Sequence, residues 1–415
     1  MKIALVCPYN MFERTGGVAQ LVTHLADGLR ARGHSVKILT PRPTGYKGEI
    51  PKDYITLGTT RNFSGGFGTS GNWGSTLNIN EVKRVLKEEK FDVINFHEPW
   101  IPMIGWQILN YSDAAHVGTF HANLIDNVAG KAWFNTFYPI GKSLVEKLHI
   151  LTAPSQVPAA MLISKANGNN ALHRFLVDNF KYIPNGIDLK KYAPIKHRKP
   201  LNGKDTKTIV YVGRLEKRKG VDYLLEAFDL LVQEMPNVHL IIAGKGNKRK
   251  ELERLVKSNK TPNVEFRGFV TDDEKVELFG NADLVCVPAM YGESFGIVLV
   301  EAMAMGAPVI AGANLGYKSV MTGHGRIGLV DAEANEDFAN RMAVFLSEPQ
   351  IERMMRDWGV AEARKYEYNS VIKQYEDAYK DAIKRRDQLK VEKESKANEH
   401  FIKKIVRRAT VRRHA

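Results

Sequence analysis

Cysteine is scarce in this 415-residue chain, which contains only Cys7 and Cys286. The two cysteines lie far apart in the sequence, and each belongs to an apolar run typical of a β-strand, so a disulfide is not expected. A zinc site needs about four ligands at close spacing, and the sequence offers no such cluster of cysteines. We predict two buried structural thiols.

Long apolar runs are also missing, since no stretch approaches the ~18–20 residues that a membrane-spanning helix needs. The chain begins with Lys2 and a short apolar run, but Pro8 and Asn10 follow at once. This run is too short for the core of a signal peptide. We therefore predict a first β-strand and a cytoplasmic protein.

The sequence contains no Asp-x-Asp, the carboxylate pair that commonly holds a metal-bound diphosphate. We therefore predict that the protein has no metal site and requires no metal or other cofactor. A complete Gly-x-Gly-x-x-Gly is lacking after the first strand, where Gly16 and Gly17 form only a pair, and the acidic residue expected about twenty positions on is missing. Dinucleotide binding is disfavoured, although a glycine pair still lets the backbone approach a phosphate closely.

The net charge of +14 is not spread evenly. Residues 384–415 contain twelve Lys or Arg and only four Asp or Glu, so more than half of the basic excess belongs to the C-terminal tail. A protein that binds nucleic acid would have a more basic body, and we expect no nucleic-acid partner. A non-catalytic nucleic-acid-binding protein stays as an alternative suggested by charge alone, and no obligate protein partner is indicated.

Short β-branched runs alternate with amphipathic helical patterns along most of the chain, beginning with a helix whose apolar face is Val18, Leu21, Val22, Leu25 and Leu29. Strand, glycine turn, helix and strand in this order predict an α/β protein with parallel sheets covered on both faces. A polar stretch at 196–207 interrupts the alternation, and we place an interdomain linker there. Residues 59–78, rich in Ser, Thr, Gly and Asn, are predicted to form a long flexible loop of the kind that often carries function.

The run from Gly292 to Ala302 is the strongest chemical signal, because two glutamates, Glu293 and Glu301, lie eight residues apart across the start of a predicted helix. Free N–H groups at a helix start favour an anion such as a diphosphate. Carboxylates beside that anion suit sugar hydroxyls, since each accepts several hydrogen bonds. The alternative is a capped helix with two solvated glutamates.

A second signal is the basic segment from Gly213 to Gly220, directly after a predicted strand. Ligands bind at the carboxyl ends of parallel strands, where Arg214 and Lys219 could clamp a leaving diphosphate. A solvated basic loop is the alternative. His97 and His121 both end predicted strands of the first half, and a role at the cleft competes with one in packing.

These motifs together resemble family 4 of the retaining glycosyltransferases, and within it the phosphatidylinositol mannosyltransferase branch, over roughly residues 1–385. The resemblance rests on Gly16-Gly17-Val18, on Pro184 through Asp188, on Gly213 through Gly220, on Ala243 through Gly246 and on Gly292 through Ala302. It implies a GT-B fold, in which two Rossmann-like α/β domains face each other across a cleft. Residues 1–195 would form the acceptor-side domain, with a helix at about 368–385 packing back on it, and residues 200–367 the nucleotide-sugar-binding domain.

The resemblance also implies roles for single residues and a donor, GDP-mannose, whose mannose is transferred with retention. Glu293 matches a glutamate that faces the hexose, and Glu301 one that holds the ribose hydroxyls. The catalytic residues implied are His121, Arg214, Lys219 and Glu293. The residues implied in donor binding are Gly16, Gly17, Arg218, Val270, Asp272, Lys275, Phe295, Gly296, Ile297, Val298 and Glu301.

The acceptor side departs from that branch, because Asn78 stands where a basic residue suited to an inositol phosphate is expected. Tyr9, Trp73 and Ser75 are the acceptor residues that the resemblance implies, and a lipid or glycan acceptor is expected. A UDP-sugar-dependent glycosyltransferase with another lipid or polysaccharide acceptor stays open, as does a sugar-nucleotide epimerase.

The tail, residues 386–415, contains apolar residues spaced along one helical stripe between basic residues. This pattern predicts either a basic amphipathic helix on an anionic membrane surface or a disordered, solubilising tail. The first reading implies a cytoplasmic enzyme, peripheral on the inner face of the cell membrane.

Overall fold

The computed structural model describes residues 1–12, 17–64, 70–75, 78–99, 104–121, 142–166, 170–195, 197–203 and 205–412. Its strands are β1 Lys2–Val6, β2 Ser35–Arg42, β3 Tyr54–Ser64, β4 Ser70–Ser75, β5 Val93–His97, β6 Ala115–Thr119, β7 Ile150–Ala153, β8 Phe180–Tyr182, β9 Lys207–Val212, β10 Val238–Ala243, β11 Val264–Gly268, β12 Leu284–Val287, β13 Val309–Gly312 and β14 Leu329–Val330. Its helices are α1 Gly17–Ala31, α2 Ile79–Glu89, α3 Ile104–Tyr111, α4 Gln156–Lys165, α5 Asn170–Asn179, α6 Val221–Glu234, α7 Arg249–Asn259, α8 Asp272–Asn281, α9 Ile297–Ala304, α10 Leu315–Lys318, α11 Asn335–Ser347, α12 Pro349–Ala363 and α13 Tyr368–Arg412.

The first sheet has the strand order β4-β3-β2-β1-β5-β6-β7-β8, and its pairs are parallel except for the antiparallel pair of β3 and β4. The central strands β1 and β5 are apolar and almost fully buried, as expected of strands covered by helices on both faces. Helix α1 buries its predicted apolar face against this sheet through Leu21, Val22, Leu25 and Leu29.

The hairpin of β3 and β4 corrects the prediction of a long loop over residues 59–78. Its register runs from Thr59 opposite Ser75 to Ser64 opposite Ser70. The prediction was wrong for this part because glycine, serine and asparagine have low strand propensity, whereas an edge strand is specified by pairing with its neighbour. The hairpin extends the sheet at its β4 edge.

The second sheet is entirely parallel, with the order β11-β10-β9-β12-β13-β14. The strand order reverses between β9 and β12, and such a reversal opens a crevice at the carboxyl ends of the two strands. The loops that follow β9 and β12 carry the two strongest sequence motifs. The fold class is therefore the predicted one, with two parallel-sheet, Rossmann-like α/β units.

Helix α13 returns the chain from the second sheet to the first. Its buried residues Val371, Tyr375 and Tyr379 belong to the same core as β1 and α1. Beyond this contact the helix continues, and residues 390–399 are exposed on every face. None of the described helices is both long enough and apolar enough to cross a membrane.

Both cysteines are free and buried, as predicted. Cys7 follows β1, and burial raises the pKa of its thiol to about 12. Cys286 lies within β12, where burial likewise raises its pKa. Neither thiol is therefore ionised at neutral pH, which fits a structural role.

Candidate active site

A cavity of about 650 Å³ lies between residues that follow strands of the two sheets. From the first half it is lined by Gly17, Val18, Gln20, Leu21, Thr23, His24, His121, Asn185, Gly186, Ile187, Asp188, Lys191 and Tyr192. From the second half and the start of α13 it is lined by Arg214, Arg218, Lys219, Asp272, Gly292, Glu293, Ser294, Ile297, Glu301 and Tyr368. A volume of this size is typical of a small-molecule site.

The loop after β9 turns sharply into α6, and this turn places its basic residues at the cavity. Gly220 has a φ of 65°, and a Cβ at this position would come within 2.5 Å of the Pro288 carbonyl oxygen. Glycine is therefore required for the turn and for the close approach of the loop after β12. The result is that Arg218 and Lys219 face the Gly292–Ser294 segment.

Glu293 pairs with both of these cations. Lys219 Nζ donates to Glu293 Oε1 at 2.8 Å, and the Arg218 guanidinium donates to the same oxygen. The three side chains are only 12–13% exposed. The cavity therefore contains a largely desolvated cluster of two cations and one carboxylate, in which electrostatic interactions are strong.

The pKa shifts of this cluster follow from burial and from its charges. Burial raises the pKa of Glu293, but Lys219 and Arg218 together hold it below the ordinary value. Burial lowers the pKa of Lys219, and Glu293 only partly offsets this effect. The carboxylate is thus held ionised, and its charge favours the protonated form of the lysine.

Arg214 lies apart from this cluster, at the rim. Its guanidinium is 52% exposed and contacts Glu216 at 2.8 Å, and Glu216 also accepts from Arg218 Nε at 3.1 Å. Glu216 therefore links the two arginines from behind the cavity lining. Of the pair predicted to clamp a diphosphate, Lys219 lies deep in the cavity and Arg214 at its opening.

The second predicted carboxylate, Glu301, projects from α9 and is 7% exposed. Lys275 Nζ donates to its Oε1 at 2.7 Å. The Tyr192 hydroxyl interacts with the carboxylate, but the buried Oε2 accepts no hydrogen bond of good geometry from a described residue. Burial raises the pKa of Glu301, and Lys275 opposes this increase. A buried carboxylate oxygen without a partner is costly, so the site is suited to a ligand that donates to it.

The region after β11 provides the polar surroundings of Glu301. Asp272 lines the cavity at the start of α8 and pairs with Lys191 at 3.1 Å. Lys275 stands behind the lining, 5.3 Å from the centre of the Tyr192 ring. Val270 is partly buried and packs against the core of the second half rather than lining the cavity.

Beside the two glutamates, Gly292, Ser294 and Ile297 line the cavity, and the other residues of the Gly292–Ala302 run shape the site without lining it. Phe295 is buried and packs edge-on against Tyr366, with 5.2 Å between ring centres. Gly296 precedes α9 with a φ of 102°, a left-handed conformation that favours glycine. Val298 is partly buried against the same core. The apolar residues between the two glutamates thus bury α9.

On the first half, Gly17 begins α1 at the cavity, and His121 lines it two residues after the end of β6. Gly16 lies outside the described residues. Tyr9 packs, partly buried, against the core of the first half and does not line the cavity. Trp73 and Ser75 lie in the edge strand β4, and only their backbone is described.

Sequence reasoning missed several lining residues that only the fold brings together, including His24, Lys191, Tyr192 and Tyr368. His24 lies on α1, and its ring centre is 4.7 Å from that of Tyr368 on α13, more than three hundred residues away. No spacing in the sequence signals such a contact. Among the described residues, no three His, Cys, Asp or Glu side chains come together as a metal site.

Known proteins match both halves of the chain. The family described as Glycosyltransferase Family 4 matches residues 15–191, and that described as Glycosyl transferases group 1 matches residues 193–362. The phosphatidyl-myo-inositol mannosyltransferase of Mycolicibacterium smegmatis is 30% identical over 385 residues, which cover 88% of this chain and 92% of that protein. A GDP-mannose-dependent monoacylated alpha-(1-6)-phosphatidylinositol monomannoside mannosyltransferase of Corynebacterium glutamicum is 30% identical over 187 residues, covering 42% of this chain and 48% of that one. The Anabaena protein HepE, in complex with UDP and glucose, has a TM-score of 0.71 at 21% identity, covering 91% of this chain and 98% of its own.

Proposed function

Because the chain belongs to the family 4 glycosyltransferases with the GT-B fold, we propose that it transfers mannose from GDP-mannose to a phosphatidylinositol-type lipid, with retention. The observation that carries the proposal is the pairing of Glu293 with Arg218 and Lys219 in one cavity. A cation pair beside a carboxylate matches the two parts of a nucleotide sugar, a diphosphate and a hydroxyl-rich hexose. The names of the two mannosyltransferase relatives support the choice of mannose and of the lipid acceptor.

The diphosphate of the donor would bind where Arg218 and Lys219 lie. Both cations are already desolvated, so they stabilise the charge that develops on the leaving diphosphate without large reorganisation. The first N–H groups of α1, which begins at Gly17 on the opposite side of the cavity, add a favourable helix-end dipole. These contacts do the work that a metal ion does in other transferases, and we propose that activity needs no added metal.

Donor binding would also change the partner of Glu293. Oε1 of Glu293 accepts hydrogen bonds from both cations. A diphosphate that binds the same cations competes with the carboxylate for them. Glu293 is then able to accept hydrogen bonds from the hexose hydroxyls, so the binding of diphosphate and sugar is coupled.

Glu301 is suited to the ribose. Its Oε1 is held by Lys275, and its Oε2 accepts no hydrogen bond of good geometry from a described residue. Two neighbouring ribose hydroxyls donate hydrogen bonds that would satisfy this oxygen. Oε2 would therefore gain its hydrogen bond from the bound nucleotide.

The acceptor would be presented by a membrane. Residues 390–399 of α13 are exposed, and the sequence from 400 to 413 is basic with an apolar stripe. An isolated helix in water is marginal, whereas an anionic lipid surface stabilises a basic amphipathic one. We propose that this segment docks the enzyme on the inner face of the membrane, beside a lipid acceptor.

A thermal-shift panel with GDP, UDP and ADP, each alone and as a sugar nucleotide, tests the donor. A ligand that binds only the folded state at 100 times its Kd adds about 2.7 kcal/mol to the free energy of unfolding. We expect the largest increase with GDP and GDP-mannose. A preference for UDP would favour the UDP-sugar alternative, and conversion of a free sugar nucleotide without any acceptor would favour an epimerase. No response to any nucleotide contradicts the proposal.

A further inference from the structure

A chain of buried polar side chains connects the C-terminal helix to the cavity. Tyr379 of α13 lies against β5, and Asn95 Nδ2 donates to its hydroxyl at 2.9 Å. Asn95 Nδ2 also lies 3.4 Å from His97 Nε2, and His97 Nδ1 lies 2.9 Å from His121 Nε2. Each of these side chains is at most 8% exposed, and His121 lines the cavity.

Two neighbouring threonine hydroxyls orient the Asn95 amide in this chain. The Thr152 hydroxyl donates to the Thr119 hydroxyl at 2.8 Å, which donates to Asn95 Oδ1 at 2.7 Å. The amide oxygen of Asn95 is thereby used as an acceptor, so its NH₂ group faces Tyr379 and His97. His97 Nε2 must then accept, which leaves the proton of a neutral His97 on Nδ1.

The tautomer of His97 fixes the tautomer of His121 in turn. Nδ1–H of His97 donates to His121 Nε2, so a neutral His121 carries its proton on Nδ1. Burial lowers the pKa of His121 to about 4 and also lowers that of His97, so both rings are neutral at pH 7. No hydrogen bond joins His121 Nδ1 to a described residue, and His121 lines the cavity.

The backbone holds the two histidines in this relation. Glu98 follows His97 with a φ of 53°, which is uncommon for a residue other than glycine, and is 5% exposed. Its carboxylate accepts from the backbone N–H of His121 at 3.0 Å. Its own backbone N–H donates to the Thr119 carbonyl oxygen at 2.8 Å. The ends of β5 and β6 are thus joined beside the two rings, which lie 4° from parallel.

We propose that His97 is a positioning residue, which fixes His121 in the tautomer that presents Nδ1–H to the cavity as a hydrogen-bond donor. The acceptor of that hydrogen bond, which rests on the proposed function, is an oxygen of the reacting hexose or of its leaving group. Asn95 sets the tautomer of His97, and through it that of His121. Asn95, His97 and His121 are therefore part of the transfer machinery as well as of the core.

The substitution Asn95→Asp tests the inference, because it preserves shape and reverses the hydrogen bonds. A carboxylate accepts from His97 Nε2–H, so His97 Nδ1 becomes an acceptor and His121 carries its proton on Nε2. Tyr379→Phe is the matched control, since it removes a neighbouring hydroxyl but leaves the His97 to His121 bond intact. Nitrogen-15 spectra of histidine-labelled protein at pH 8 report which ring nitrogen carries the proton, with His121→Asn used for assignment.

We expect wild-type protein and Tyr379→Phe to carry the His121 proton on Nδ1, and Asn95→Asp to carry it on Nε2. We also expect kcat of Asn95→Asp to fall about 100-fold with little change in KM for the donor, since one preorganised donor is lost. Wild-type His121 protonated on Nε2, or a reversed tautomer in Asn95→Asp with unchanged kcat, overturns the inference. The spectra need no substrate, so they test the tautomers independently of the reaction. Failure of the proposed function is detected separately, as absence of transfer by the wild-type enzyme.

Discussion

Replacing Glu293 with glutamine separates the roles of the carboxylate in stability, nucleotide binding and turnover. The amide keeps the shape of the side chain but removes the charge that faces Arg218 and Lys219. Breaking a buried ion pair from one side costs about 3–5 kcal/mol. We expect a loss near the lower end of that range at pH 7, because glutamine still accepts a hydrogen bond through its amide oxygen.

The stability loss should depend on pH in a defined direction. The two cations hold the folded-state pKa of Glu293 below the ordinary value of 4.5, so its stabilisation is fully present above pH 4.5. This stabilisation disappears as the pH falls through the lowered, folded-state pKa. Denaturant unfolding of Glu293→Gln and of the wild type should therefore converge in acid.

The kinetic effect of Glu293→Gln can also be estimated. A hydrogen bond to a charged group contributes about 1.5–3 kcal/mol, and a neutral acceptor keeps roughly half of it. With two hexose hydroxyls, the loss is about 1.5–3 kcal/mol, which corresponds to a turnover decrease of about 10–150-fold. Free nucleoside diphosphate, which lacks the sugar, should bind as tightly as before or more tightly, because the cations no longer have a competing carboxylate.

Calorimetric titration with GDP and steady-state kinetics measure the two effects. Glu216→Gln is the matched control, since Glu216 also pairs with Arg218 but does not line the cavity. We expect this control to change turnover less than Glu293→Gln does. If Glu293→Gln loses GDP binding but keeps the wild-type kcat at saturating donor, the assignment of this carboxylate to the sugar is refuted.

Three further predictions use the same cavity and the tail. A Cβ at Gly17 would meet no atom within 4 Å, so Gly17→Ala should fold normally but weaken nucleotide-sugar binding by occupying the space of the diphosphate. The control Gly105→Ala in α3 should leave binding unchanged. Titrations that show equal binding by both variants would contradict this prediction. Burial raises the folded-state pKa of Glu301, so its ionised form lowers the free energy of unfolding at neutral pH. Glu301→Gln should therefore melt at a higher temperature than the wild type at pH 7 and lose this advantage below about pH 4.5. The same variant should bind nucleotide about tenfold more weakly. Glu362→Gln, at a buried carboxylate on α12 outside the cavity, should leave nucleotide binding unchanged, and a loss as large as that of Glu301→Gln would contradict the ribose assignment. A chain that ends at Arg386 should lose at least tenfold in sedimentation with anionic vesicles at low salt, since each basic residue near such a surface contributes about 1 kcal/mol; unchanged binding would exclude the tail as the anchor.

Buried parallel strands could be predicted from the sequence to within one or two residues. The apolar run Leu284–Pro288 predicts a strand, which the structure gives as Leu284–Val287, and Thr208–Val212 predicts Lys207–Val212. Such strands are specified by local apolar and β-branched composition, so the pattern suffices. The antiparallel hairpin of β3 and β4 is specified by pairing between its two strands, and residue composition does not reveal this pairing.

The candidate site divides in the same way. Lys219, Glu293 and Glu301 could be singled out because their motifs follow strand ends or begin a helix. The link from Asn95 to His121 could not, because it depends on the register of β5 against β6 and on a tyrosine from α13. The sequence indicates that His97 and His121 both end strands, but only the structure shows that the two side chains are in contact.

Transfer from labelled GDP-mannose to vesicles containing phosphatidylinositol tests the central claim most directly. Mass spectrometry of the extracted lipids should find a phosphatidylinositol carrying one added hexose, formed by the wild-type enzyme without added metal. Glu293→Gln, at equal concentration of folded protein, should form at least about tenfold less of this product. If GDP-mannose leaves the lipid unmodified while a UDP-sugar donates to it or to another acceptor, or if no sugar nucleotide is consumed, the proposed GDP-mannose:lipid mannosyltransferase activity is contradicted.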